Sequence, residues 1–287
     1  MKTGWLVVNH FLKTDKFLEH YHWLRTAAEK RNVSLLLKTG VELLGEGEIQ
    51  REKKPDFVLF WDKDVRLAAR LEQADLRLFN NAKAITLCDD KSLTQLALEK
   101  EIPMPKTIFA PLTYPVVGYP DLSFVTKAVN VLGLPVVIKE CFGSFGQQVH
   151  LADSVKKAEE IAKRLAGSPF MFQEFIATSC GRDVRLQVVG NQVIAAMLRQ
   201  NSEDFRANLS NGGKATPYEP DENMKELALK ACRMLGLDFA GVDFLFGERG
   251  EPILCEINSN AHFKNLYDCT GVNVAEAIIK WIDGQTN

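Results

Sequence analysis

Hydrophobic positions change their period along this chain, and the changes divide it. In the first third, short apolar runs alternate with stretches at helical spacing. Trp5 to Val8 reads as a strand. Lys16 to Lys30 carries Phe17, Tyr21, Leu24 and Ala28 at near-helical intervals. Val33 to Leu37 and Phe57 to Trp61, the latter entered after Pro55, read as further strands. Such β-α-β alternation predicts a parallel sheet covered by helices. Asp89 or Asp90 is placed to cap a helix from Ser92 to about Lys100, which Ile102-Pro103-Met104-Pro105 ends.

The remainder follows another rhythm. Lys106 to Tyr119, rich in proline, predicts a connecting segment. Pro135 to Lys139 is a β-branched strand ending in a lysine, followed by the Gly143-Ser144-Phe145-Gly146 loop and a second strand at Val149 to Leu151. A helix over Val155 to Leu165, capped by Asp153 or Ser154 and stopped by Gly167, completes a β-loop-β-helix lobe. Phe170 to Ile176 opens the last third. Val184 to Val189 turns at Gly190-Asn191 into Gln192 to Leu198, as a hairpin does. Met224 to Leu235 is amphipathic and stops at Gly236. Ala240 to Phe246 and Pro252 to Ile257 form a strand pair around Gly247-Glu248-Arg249-Gly250, and Val274 to Ile282 closes the chain as a helix. The division expected is 1–90, 91–170 and 171–287.

Bulk composition narrows the possibilities only a little. A formal net charge of -2 gives no general attraction to nucleic acid. The N-terminus does not read as a signal peptide, and no uncharged apolar run is long enough to span a bilayer. Six cysteines without a C-x-x-C pair predict reduced, mostly buried thiols in a cytoplasmic protein.

Asp243 lies on one strand of the last pair, with Glu256 and Asn258 on the other. Alternation puts Glu256 and Asn258 on one face, and the turn lets Asp243 sit across from them. Three oxygen-bearing side chains among apolar strands, with little opposite charge near them in sequence, suit a hard cation such as magnesium. Lys139 ends its strand just before a glycine-containing loop, where an ammonium and backbone N–H groups can converge on phosphate. A lone lysine there more often snorkels to solvent. The loop fits neither a Walker A nor a G-x-G-x-x-G pattern. Arg185, Arg199 and Arg206 cluster around the hairpin; Arg185 shares a face with Asp183. Guanidinium forks suit a phosphoryl group or a carboxylate.

Read together and in order, these pieces resemble the ATP-grasp superfamily and, within it, the RimK-like amino-acid ligases. The resemblance rests on Asp90-Lys91, Lys139, Gln173-Glu174-Phe175-Ile176, Asp183-Val184-Arg185 and Asp204-Phe205-Arg206-Ala207-Asn208. It continues through Leu235 to Asp243, Glu256-Ile257-Asn258 and Thr270-Gly271-Val272-Asn273-Val274. It implies an α/β fold in which an N-terminal parallel α/β domain precedes two α+β lobes that clamp ATP. It also implies a ligase that joins a carboxylate to an amine through an acyl phosphate. Glutamate or another amino acid is the expected amine substrate, with a protein, peptide or small-molecule acceptor.

On this resemblance Lys91, Lys139, Glu174, Phe175, Asp183, Arg185, Arg206 and Asn208 bind the nucleotide. Arg199 and Arg206 stabilise the transferring phosphoryl. Asp243, Glu256 and Asn258 hold one or two magnesium ions, for which manganese can substitute. A homo-oligomer is implied, and neither nucleic acid nor membrane is an expected partner. The same scaffold also admits a non-catalytic ATP-binding protein or an acid–ammonia or acid–thiol ligase. A dinucleotide-dependent oxidoreductase lacks its glycine fingerprint here.

The chain departs from the family at Gln147-Gln148, where a further glycine is common, and at Ser259-Asn260-Ala261-His262-Phe263 beside the metal site. There the usual continuation is a small residue. His262 is placed to touch substrate or to be an ordinary loop histidine. Asp62 and Asp64, after the third strand, are placed either to line the acceptor cleft or to be solvated at a strand end.

Overall fold

The computed structural model describes residues 1–143, 146–209 and 212–286; Ser144 and Phe145 of the expected glycine loop lie outside the described residues. Among these residues the chain builds three sheets. The first is parallel, in the order β2 (Val33–Thr39), β1 (Lys2–Val8), β3 (Phe57–Trp61), β4 (Leu78–Phe79). Period-two alternation fills two cores from one sheet. Leu6, Val8, Leu59 and Trp61 face the helix Asp15–Glu29, while Trp5, Val7, Val58 and Phe60 face the helix Val65–Gln73. The short strand β4 and the helices Glu46–Arg51, Val65–Gln73 and Ala82–Asp89 were not anticipated by the hydrophobic pattern.

The helix Lys91–Leu98 follows, with Asp90 as its cap. Its carboxylate accepts from the backbone N–H groups of Ser92 and Leu93. The second sheet is antiparallel, in the order β5 (Thr107–Phe109), β8 (Phe170–Glu174), β6 (Val136–Glu140), β7 (Val149–Ala152). Part of the expected connecting segment is therefore an edge strand. The helices Ser123–Leu132 and Val155–Arg164 pack on this sheet through a core of their own, including Val125, Val129, Ile138, Ile161 and Phe172.

The third sheet is antiparallel, in the order β11 (Lys214–Pro217), β10 (Gln192–Gln200), β9 (Arg182–Val189), β12 (Phe239–Phe246), β13 (Pro252–Asn258). Its apolar face, with Val184, Leu186, Val188, Val242, Phe244 and Leu254, packs on the helix Glu222–Leu235. That leaves Asp183, Arg185 and Asp243 on the opposite face. A register shift between Asp243 and Phe244 places Asp243 opposite Glu256 but Phe244 opposite Leu254. Cys255 is the extra residue. Strict alternation would have put Leu254 on the polar face with Glu256; the bulge sends Leu254 to the core instead.

The last helix, Val274–Gln285, returns to the first sheet. Ile278, Ile279 and Ile282 join the core shared by β1, β3 and the helix Asp15–Glu29. Lys2 and Arg31 both pair with Asp283, at 2.8 and 3.0 Å, and Lys30 pairs with Glu276 at 2.6 Å. The N-terminal and C-terminal sheets are thus joined through one apolar core, whereas the central sheet keeps its own.

Candidate active site

Two arginines and two carboxylates interlock on the polar face of the third sheet. Cross-strand register sets Arg185 opposite Asp243 and Arg199 opposite Asp183. Arg185 Nε and Nη2 each donate to Asp243 at 2.6 Å; Arg199 does the same to Asp183 at 2.6 and 2.7 Å. Arg199 Nη2 also lies 3.0 Å from Asp243 Oδ2, which ties the two forks together. Arg199 is 4% exposed and Asp243 3%. Burial alone would raise the Asp243 carboxyl, but Arg185 and Arg199 outweigh it and hold it down at about 2. The expectation that the oxygen trio has little opposite charge nearby is therefore corrected. Alternation hid the neighbouring strand's arginines, which adjoin Asp243 only after pairing.

Glu256 and Asn258 are more open. Glu256 has Lys91 Nζ at 3.7 Å, and both residues are half-buried. Because of the bulge, Cys255 and Glu256 both line the same cleft. Among the described residues no group of three His, Cys, Asp or Glu side chains is arranged to hold a metal ion.

Lys139 is 7% exposed, and its Nζ lies 3.6 Å from Cys255 Sγ; among the described residues it has no carboxylate partner. A buried ammonium without a counter-charge is a strong acceptor of an anion. Lys91 donates to the Gly143 carbonyl at 3.0 Å, and Arg206 donates to the Gly146 carbonyl at 2.7 Å while pairing with Asp204 at 2.6 Å. The two flanks of the glycine loop are thereby tied to the helix after Asp90 and to the loop after β10. Glu174 accepts from the Lys106 backbone N–H at 2.7 Å, and Phe175 follows it along the cleft.

Two cavities result. One, of about 100 Å³, lies between the central and third sheets; Lys139, Glu174, Phe175, Asp183, Arg206 and Asn208 are among its walls. The other, of about 340 Å³, lies between the N-terminal sheet and the third sheet. Its walls include Tyr21, Trp61, Asp62, Arg185, Asn258 and His262. Arg199, Asn208 and Glu256 line both. Arg185 faces only the larger chamber, and Lys91 lines neither. Of the two acidic residues after β3, Asp62 lines the chamber. Asp64 instead caps the helix Val65–Gln73, accepting from Arg66 and Leu67 N–H groups.

The departing segment forms one wall of the chamber. Asn260 Nδ2 donates to the Asp62 carbonyl at 2.8 Å, and the Phe263 N–H donates to His20 Nε2 at 3.1 Å. His20 Nδ1 donates in turn to the Lys16 carbonyl at 2.7 Å, which fixes the neutral tautomer; burial also lowers its pKa. His262 packs edge-on against Phe17 and His20, with ring centroids 4.9 and 4.5 Å apart, and burial with the neighbouring His20 pushes its pKa down to about 3. Gly241 allows the close approach, since a Cβ there would stand 2.5 Å from that of Ala261. Sequence reasoning missed Asn9, Lys16, Tyr21 and Cys255 as lining residues. Tyr21 reads as one more core position on an amphipathic helix, and the bulge that exposes Cys255 has no local signature.

A cleft between two antiparallel α+β lobes, beside a second chamber roofed by a parallel α/β domain, is the arrangement of an ATP-grasp ligase, an ATP-dependent enzyme class. The model of the RimK-like ATP-grasp domain matches residues 88–282, and the chain belongs to that family. A Mycoplasma pneumoniae protein named as a homologue of MG012 is 33% identical over 83% of this chain and 84% of its own length. A Syntrophotalea carbinolica protein named "Probable alpha-L-glutamate ligase" is 36% identical over 76% of this chain and 70% of its own. Among solved structures, the ATP-grasp ligase PsnB with a phosphomimetic precursor variant, Mg and ADP superposes with a TM-score of 0.72 at 18% identity. That match covers 100% of this chain and 99% of PsnB, and it speaks for the fold.

Proposed function

We propose that this enzyme joins a carboxylate to an amine with consumption of magnesium-ATP, an amino acid being one of the two substrates. The observation that carries the reading is the meeting of the two cavities at Arg199, Asn208 and Glu256. A phosphoryl donor in the smaller cleft and a carboxylate in the larger chamber would face each other across those three residues. A carboxylate oxygen attacks the terminal phosphorus, the bond to ADP breaks, and an acyl phosphate forms. The amine nitrogen then attacks the acyl carbon, inorganic phosphate leaves with the electron pair of the C–O bond, and the nitrogen loses a proton. Such steps ask for alignment and charge neutralisation rather than a side-chain nucleophile.

Lys139 supplies an uncompensated positive charge for phosphate oxygens. Arg199 is pinned by its two carboxylates, so it presents a fixed guanidinium to the reacting groups. Glu174 and Phe175, which line the smaller cleft, would meet the nucleotide base. Glu256 and Asn258 offer hard oxygen donors of the kind magnesium takes, beside Asp243, whose two oxygens are held by Arg185 and Arg199. When bound, the ion neutralises phosphate charge. The glutamate ligase name of the Syntrophotalea carbinolica relative supports an amino acid as substrate. PsnB, solved with Mg and ADP, supports the cofactor pair.

The test is release of ADP and phosphate from magnesium-ATP across the amino acids, singly and with acceptor acids or peptides. Release dependent on one amino acid, with a matching mass increase on the acceptor, is expected. Tight ATP binding without release in any mixture would favour a non-catalytic ATP-binding protein. Release with ammonia or a thiol alone would favour the corresponding ligase.

A further inference from the structure

A third cavity, of about 370 Å³, adjoins the larger chamber and shares Asn9 and Asp62 with it. The chamber therefore meets a neighbouring cavity in two places: at Arg199, Asn208 and Glu256, against the nucleotide cleft, and at Asn9 and Asp62. Asp62 is 9% exposed. Its Oδ1 accepts from Asn9 Nδ2 at 3.3 Å and from the Lys63 backbone N–H at 2.7 Å, both neutral donors. Among the described residues no lysine, arginine or histidine nitrogen lies within ion-pairing distance of this carboxylate.

Three cations of the chamber wall are answered from within the protein, and Lys16 also lines it. Lys63 pairs with Asp89, Arg185 with Asp243, and Arg199 with Asp183. A buried carboxylate held only by neutral donors keeps a charge that a cation would stabilise. Burial raises its pKa, as that environment requires. Trp61 and Tyr21 line the same chamber. Burial and the adjacent Asp62 push the Tyr21 hydroxyl up to about 12, so the ring stays neutral, and aromatic faces favour an ammonium.

We propose that Asp62 receives the ammonium group of a small amino acid whose carboxylate points toward Arg199 and Glu256. The chemical consequence rests on the ligase reading given above. An ammonium held in an ion pair at Asp62, which does not line the nucleotide cleft, is protonated and is not the attacking amine. The bound amino acid is then the acid that becomes activated, and the amine enters separately. A chamber of about 340 Å³ is of small-molecule size. Asn260 gives the departing segment a role here, because its bond to the Asp62 carbonyl braces the anchor.

The experiment measures affinity for matched pairs by calorimetry on the full chain: L-alanine with propionate, L-glutamate with glutarate, and L-phenylalanine with 3-phenylpropionate. In the wild type, one amino acid should bind at least about tenfold more tightly than its partner lacking the amino group, about 1.4 kcal/mol. In Asp62→Asn that ratio should fall to near one while magnesium-ATP affinity is kept. Asp62→Glu, which restores the charge, should recover part of the ratio. Comparing two ligands within each variant removes any effect of a partly unfolded sample. A ratio preserved in Asp62→Asn, or no preference for any amino acid in the wild type, overturns the proposal. The ligase reading is scored separately by ADP release. No release with the ratio intact would remove that reading and leave the anchor, whereas release with a ratio indifferent to Asp62→Asn would remove the anchor alone.

Discussion

At the scale of single residues, the four-membered charge lattice and Glu256 make different demands. Asp243 is lowered from its usual 3.8 to about 2, so its contribution to stability is fully present above about pH 4 and is lost as the pH falls through about 2. The difference corresponds to about 2 kcal/mol. Asp243→Asn should cost more than this at pH 7, about 3–5 kcal/mol, because it leaves Arg185 and Arg199 buried beside a neutral amide. Urea unfolding between pH 2 and pH 7 should show a flatter acid limb in the variant; parallel curves would mean that the arginines do not hold Asp243. Glu256 has only a distant lysine at 3.7 Å, so Glu256→Gln should leave the urea midpoint nearly unchanged. It should lower ADP release by about 10²–10³-fold, as removal of a transition-state stabiliser does. Near-normal release would take Glu256 out of the metal site.

At the scale of elements, most of the architecture could be read from period. The strands at Trp5–Val8 and Phe57–Trp61 are continuous apolar runs, as strands buried on both faces are, Val184 to Gln187 alternates apolar and polar residues, and Asp90 and Gly236 mark helix ends by capping chemistry. Three things were not legible. The two-residue strand β4 is too short to show a period. The edge strand β5 lies in a proline-rich stretch whose composition speaks for a loop. The bulge at Cys255 depends on pairing with β12, a long-range fact. The site shows the same divide. Residue types and order pointed to Glu256, Asn258 and Lys139, but which arginine holds which carboxylate follows from cross-strand register. Gly241 is the element-scale test, since its bare Cα lets the Ser259–Phe263 segment rest on β12. Gly241→Ala should destabilise by about 1–3 kcal/mol through overpacking. It should also raise KM for the amino acid several-fold more than KM for ATP; equal changes in both would mean the segment does not shape the chamber.

At the scale of the whole molecule, the shared core of the first sheet and the last helix contrasts with the separate core of the central sheet. Ile279→Ala, in the shared core, should cost about 2–5 kcal/mol. Hydrogen exchange should then accelerate in β1, β3, β9 and β10, with β6 and β8 keeping their protection. Uniform acceleration would show that the central lobe is not an independent unit.

The same division bears on the order of events in a turnover. The larger chamber lies between the N-terminal and third sheets, which one core holds together, while the smaller cleft lies between lobes whose cores are separate. Spent nucleotide can leave by parting the yielding side, with the rigid side keeping its tenant seated and its shape unchanged. On that expectation the chain works as a vessel with a hinged cover. Raising solvent viscosity with sucrose should slow kcat, because the cover must swing through solvent. The Kd for the amino acid should stay constant, and a kcat insensitive to viscosity would place the slow step in the chemistry.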